Sequence, residues 1–84
     1  MSNWYVYLIR CADDTLYCGI TSDIERRLKQ HNAGTASKYT RSRLPALLET
    51  FVQVDSKSDA LKLEIQVKKQ NRNNKIAFLH KAVS

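Results

Sequence analysis

Along this chain the apolar positions change period twice. WYVYLIRC (4–11) and LYCGIT (16–21) are short runs dense in β-branched and aromatic side chains, separated by the polar tetrad ADDT (12–15). Two such runs around an Asp-rich turn predict a β-hairpin. From Ser22 the pattern becomes helical. Ser22 and Glu25 fit a capping box, which predicts a helix from about Asp23 to about Asn32, stopped by Ala33-Gly34. TASKYTRSR (35–43) lacks apolar periodicity and reads as a loop. Beyond Pro45, LLETFVQV (47–54) reads as a third strand. The polar run DSKSD (55–59) caps a second helix reaching about Asn71. A third helix is predicted over 74–82, with Ile76, Leu79 and Val83 on one stripe. The order β-β-α-β-α-α predicts an α+β fold: a small three-stranded antiparallel sheet flanked by helices, one domain over residues 1–84.

Charge adds a partner to this picture. With 14 Lys and Arg against 8 Asp and Glu, the chain carries a net charge of +6. That excess favours polyanions, nucleic acid first and an anionic membrane second. A basic protein with no particular partner carries the same charge. No apolar stretch is long enough to span a bilayer, so no membrane association is expected by that route. No basic segment precedes the first apolar run, as a signal peptide requires. The expected setting is cytoplasmic and reducing, with Cys11 and Cys18 as free thiols. Two cysteines without a matching His or Cys cluster make a poor zinc site. A monomer is the expected state of a small basic domain.

The second helix holds the clearest anomaly. At about 100° per residue, Ala60, Leu61, Leu63, Ile65 and Val67 define one apolar arc, and Glu64 falls near its middle. A carboxylate facing the core or a cleft needs an offset: a cation partner, a shifted pKa or a metal ion. Lys68, one turn on, offers the partner. In the first helix, Arg27 and His31 stand four residues apart, on a side bordering the Ile24–Leu28 stripe. An Arg–His pair at a rim suits a phosphate, because a guanidinium holds two of its oxygens at once; it also fits two solvated cations. In the hairpin, Tyr5, Tyr7 and Ile9 share one face, as do Tyr17, Gly19 and Thr21. Such tyrosines pack with a wet tip, bond a phosphate or pass a proton. Cys18 either packs or offers an oxidation-sensitive thiol.

Together these residues resemble the GIY-YIG nuclease family, and within it the small single-domain bacterial branch. Tyr5-Val6-Tyr7 stands in the place of Gly-Ile-Tyr, and Tyr17-Cys18-Gly19 in the place of Tyr-Ile-Gly. Arg27 follows Gly19 at the family's usual spacing, and His31-Asn32 closes the helix as in several members. Lys38-Tyr39-Thr40 matches a segment typical of the small branch. Glu64 sits where the family keeps its metal-binding glutamate. The match covers nearly the whole chain. It departs in Tyr5, where the family has glycine, and in the family's late Asn, which none of Asn71, Asn73 and Asn74 matches uniquely.

The resemblance implies a metal-dependent endonuclease hydrolysing DNA phosphodiesters. Glu64 would hold one divalent cation, Mg²⁺ or Mn²⁺. Tyr7 would be the general base, Arg27 would stabilise charge on the scissile phosphate, Tyr17 would orient a phosphate or water, and His31 would relay or position a proton. With no room for a targeting domain, specificity is expected to be low or set by single strands, flaps or branches, as in repair or recombination. Outside the site, the segment 37–43 is the expected DNA contact through Lys38, Tyr39, Thr40, Arg41 and Arg43, with Lys38, Arg41 and Arg43 at phosphates and Tyr39 stacking on a base. The alternative is a non-catalytic nucleic-acid-binding module with the same fold.

Overall fold

A computed structural model describes residues 3–83. The elements are β1 (Trp4–Arg10), β2 (Leu16–Thr21), α1 (Ile24–Asn32), α2 (Lys38–Arg41), β3 (Leu47–Val54), α3 (Lys57–Lys68) and α4 (Arg72–Val83). The strands form one antiparallel sheet in the order β2-β1-β3. The α+β architecture is therefore the expected one, with one helical turn added. None of these helices is long and apolar enough to cross a membrane.

β1 lies between its two partners, and its alternation divides the molecule. Val6 and Leu8 point to one face, where they pack with Cys18, Val52, Ala60, Leu63, Val67 and Leu79. This is the aliphatic core, covered by α3 and α4. Tyr7 and Ile9 point to the other face, beside Tyr17, Ala46 and Leu48 and under Ile24 and Leu28 of α1. The register sets Tyr7 opposite Gly19 on β2 and Phe51 on β3. At the hairpin turn, Asp14 takes a left-handed φ of 67°, a conformation aspartate tolerates, and Asp13 accepts from both the Thr15 amide and its hydroxyl.

Several expected boundaries move for local reasons. The cap of α1 is Asp23 rather than Ser22. Its backbone is extended, its carboxylate accepts from the Arg26 amide at 3.1 Å, and its own amide donates to the Thr21 hydroxyl at 3.0 Å. Residues 38–41, expected as loop, form a single helical turn capped by Ser37, whose hydroxyl accepts from the Tyr39 amide. This turn escapes an apolar pattern because its one buried residue is a threonine, Thr40. On α3 the buried residues are Ala60, Leu63 and Val67, while Leu61 and Ile65 are exposed. The apolar arc is thus narrower than expected, and Glu64 lies at its margin. α3 ends at Lys68, short of Asn71, and α4 begins earlier than expected, at Arg72, whose Nε donates to the Asp14 carbonyl at 2.6 Å. On α4, Leu79 is buried and Ile76 partly so; the side chain of Val83 lies outside the described residues.

Asn32, the last residue of α1, ties the tyrosine face together. Its Nδ2 donates to the Ala46 carbonyl at 2.9 Å and its Oδ1 accepts from the Ala46 amide at 2.8 Å. This pair of bonds fixes the start of β3 against α1, just after the cis Leu44–Pro45 bond. Replacing Asn32 by Ala should leave both buried backbone groups of Ala46 unpaired, at about 1–3 kcal/mol. Urea unfolding should show a lower midpoint with an unchanged slope. A loss below about 0.5 kcal/mol, the range of an ordinary surface substitution, would rule out this anchoring role.

Candidate active site

Tyr7 can lie flat across β2 only because residue 19 has no side chain. A Cβ built at Gly19 would collide with the Tyr7 hydroxyl and come within 2.6 Å of its Cζ. The glycine of the second half-motif therefore makes room for the tyrosine of the first. With the ring in that position, the hydroxyl meets His31 Nε2 at 2.9 Å. His31 is 1% exposed, an unusual place for an imidazole, and its other nitrogen, Nδ1, lies 2.8 Å from Thr40 Oγ1. Tyr7 and Thr40 are buried as well.

Around this line the rings are set close. Tyr17 meets His31 edge-on, with centroids 5.4 Å apart, and stacks on Tyr39 at 5.7 Å. The Arg43 guanidinium lies 3.9 Å from the centre of the Tyr39 ring. On the α3 side, Lys68 Nζ stands 5.9 Å from the Tyr17 centroid and 3.5 Å from Glu64 Oε2. Glu64 thus keeps the ion pair that its spacing allowed, with its side chain 18% exposed. Arg27 flanks Tyr7 beside Ile24 and Leu28, and with Thr21, Arg26 and Gln30 it lines an open polar cleft of about 280 Å³. Four of the expected residues, Tyr7, Tyr17, Arg27 and His31, therefore converge from β1, β2 and α1. Glu64 approaches the same group from α3.

Burial sets the protonation of this group. Desolvation, reinforced by Tyr17 and opposed by Arg27, raises the Tyr7 hydroxyl far above its ordinary range, so it stays protonated at rest. His31 is lowered, first by burial and then by Arg27, so the imidazole is neutral near pH 7. The Cys18 thiol is pushed up to about 12 by burial, with Glu64 adding to the shift. It is buried in the core as a protonated thiol and packs there, out of reach of the oxidation that an exposed thiol would invite.

The segment expected to contact DNA divides in two. Lys38, Tyr39 and Arg41 are exposed. Thr40 is not: it is 0% exposed and its hydroxyl faces His31, so it has no surface to offer a phosphate. Arg43 donates to Asp13 at 2.9 Å and to the Tyr39 carbonyl at 2.8 Å, which binds it into the fold. Asn71, Asn73 and Asn74 are exposed around the α3–α4 junction. Two residues escaped the sequence reading in their present roles, Thr40 as the partner of His31 and Asn32 as the clamp on Ala46. Neither has a local signal, since each acts on a segment distant in sequence.

No three His, Cys, Asp or Glu residues gather into a metal cage among the described residues. Glu64 is a single, partly buried carboxylate at the margin of the site. Such a donor fits a hard divalent ion that keeps most of its water and takes further oxygens from a substrate.

A family model of the GIY-YIG catalytic domain matches residues 3–77. The UPF0213 protein of Syntrophus aciditrophicus is 48% identical over 80 residues, covering 94% of this chain and 92% of its own length. That of Nitratidesulfovibrio vulgaris is 46% identical over 76 residues, covering 90% of this chain and 69% of its own. Among solved structures, the UPF0213 protein of Bacillus halodurans shares 38% identity with a TM-score of 0.57, covering 93% of this chain and 83% of that one. A protein from E. faecalis shares 35% identity with a TM-score of 0.65, covering 96% and 86%. The matched span takes in Tyr7, Gly19, Arg27, His31 and Glu64, and the protein belongs to the GIY-YIG catalytic-domain family.

Proposed function

We propose that this chain is a divalent-metal-dependent endonuclease that hydrolyses DNA phosphodiester bonds. The observation that carries this reading is the buried Tyr7–His31 hydrogen bond beside Arg27. Burying a hydroxyl and an imidazole beside a guanidinium gains less than aliphatic packing would, and a proton-transfer site explains the arrangement.

In this reading, a water attacks the phosphorus while Tyr7 Oη takes its proton. Because the Tyr7 hydroxyl does not ionise at rest, its own proton must leave as it accepts another, and His31 Nε2 stands 2.9 Å away to receive it. Arg27 stabilises the charge that accumulates on the phosphoryl oxygens. Tyr17, in contact with His31, orients the water or a phosphate. The bond to the 3′ oxygen breaks and that oxygen takes up a proton from solvent, leaving a 5′ phosphate and a 3′ hydroxyl. Glu64 would hold the cation, which when bound supplies Lewis-acid stabilisation of the departing oxygen. Lys38, Tyr39 and Arg41 face outward to track the strand. With recognition limited to this surface, substrates defined by structure fit best, as in repair or recombination.

The Glu64–Lys68 ion pair favours one other reading, a non-catalytic nucleic-acid-binding module in which Glu64 is structural. Labelled single-stranded, duplex and branched DNA, incubated with Mg²⁺, Mn²⁺ or chelator, separates the two. The nuclease reading expects metal-dependent cuts that fall at least about 10²-fold in Glu64→Gln and about 10²–10³-fold in Arg27→Ala. Salt-sensitive binding without cuts, equal in wild type and Glu64→Gln, would establish the binding module.

The rate should also fall on the acid side as His31 takes up a proton and can no longer accept one. Burial and Arg27 both oppose that proton, which places the acid limb below the ordinary histidine value of 6.5. A pH–rate profile with its acid limb above 6.5 would show that His31 is not the titrating acceptor.

A further inference from the structure

Behind Tyr7, four groups form a line leading inward: Tyr7 Oη, the His31 ring, Thr40 Oγ1 and the Ser37 carbonyl. The links are 2.9 Å at Nε2, 2.8 Å at Nδ1, and 3.4 Å from Thr40 Oγ1 to the carbonyl. A neutral imidazole carries one N–H, and each hydroxyl carries one hydrogen, so three hydrogens serve three links. The carbonyl at the end can only accept. If Thr40 donates to it, Thr40 Oγ1 accepts from Nδ1–H, and Nε2 presents its lone pair to the Tyr7 hydroxyl. Every hydrogen then points at an acceptor within the line. The opposite tautomer turns the Thr40 hydrogen back to Nδ1 and Nε2–H out to Tyr7 Oη, which leaves the Tyr7 hydrogen with no acceptor in the line.

The local fold is arranged to hold this direction. α2 is one turn long, and Thr40 is its only buried residue. Ser37 serves the turn with both of its oxygens: the hydroxyl accepts from the Tyr39 amide, and the carbonyl accepts from the Arg41 amide as well as from Thr40. The groups facing His31 are Tyr7 from β1, Tyr17 from β2, Arg27 from α1 and Thr40 from α2. Among them Thr40 is the one bonded to Nδ1.

We propose that Thr40 is a positioning residue: it locks His31 in the Nδ1–H tautomer, so that Nε2 is free to accept the Tyr7 proton. Its catalytic consequence rests on the nuclease reading; the tautomer does not. The short helical turn that resembles a nucleic-acid contact then has an inward role, with Lys38, Tyr39 and Arg41 on its outer side and the tautomer lock beneath.

Nitrogen-15 NMR of the histidine rings in the whole protein reads the tautomer directly, and the chain has only 2 histidines to assign, His31 and His80. Wild type should show hydrogen on Nδ1 of His31, with Nε2 unprotonated. Thr40→Ser should keep that signature. Thr40→Val, which removes the acceptor at nearly constant volume, should lose it. On DNA, Thr40→Val should lower kcat by about 10- to 100-fold with KM little changed, the range seen when a partner that orients a histidine is removed, and Thr40→Ser should restore the rate. Hydrogen on Nε2 in wild type overturns the proposal, as does a Thr40→Val protein that keeps both tautomer and rate. If Thr40→Val fails to fold, the wild-type spectrum still decides. A protein that cuts no DNA yet shows the tautomer lost in Thr40→Val supports the lock and removes only the nuclease reading.

Discussion

β1 is hydrogen-bonded on both edges, and its two-residue period assigns every second side chain to a different task. Val6 and Leu8 carry the aliphatic core, while Tyr7 and Ile9 face the candidate site. A one-residue slip against either neighbour would exchange these faces, placing a tyrosine hydroxyl in the core and a valine in the site. The register with β2 also brings Gly19, and no other residue, opposite Tyr7. Position 19 thus controls whether the Tyr7 ring can lie across the sheet and reach His31. The half-motifs are two sides of one steric fit.

Charge is spent unevenly over the molecule. Arg10, Arg43 and Arg72 bind Asp13, Asp14 and Glu49 and lock the hairpin turn to β3 and α4. These arginines belong to the fold; they and their carboxylates cancel, so the net +6 rests on the other charged side chains. Inside the site the reverse holds: Tyr7 and His31 are neutral, buried and bonded to each other, with the charges of Arg27, Lys68 and Glu64 around them. A neutral hydrogen-bonded pair ringed by charge is an arrangement suited to chemistry in which charge develops only as a reaction proceeds.

The strands and the α3 and α4 helices were legible because each buries an apolar face of regular period. So, through the family resemblance, was the first half of the candidate site: Tyr7, Gly19, Arg27 and His31 fall at motif positions on a strand pair and one helix. The failures share a cause. Five apolar residues over 60–67 suggested one arc, but Leu61 and Ile65 lie on the exposed side, and only tertiary packing separates them from Leu63 and Val67. α2 gave no periodicity because what it buries is a polar side chain. Thr40 consequently reads as part of a DNA-contacting loop, and its bond to His31, nine residues away in sequence, leaves no local signal. Asn32 read as a helix end, and its clamp on Ala46 joins segments fourteen residues apart.

If the Tyr7 hydroxyl serves chemistry, removing it alone must stop cleavage. Tyr7→Phe removes that oxygen alone and keeps the ring over Gly19. Cleavage of DNA and unfolding by urea, measured on the same preparation, separate the two roles. The expected variant folds, is weaker by about 1–3 kcal/mol, the cost of leaving His31 unpaired, and cleaves at least about 10²-fold more slowly. A phenylalanine variant that cuts DNA at the wild-type rate would contradict that chemical role.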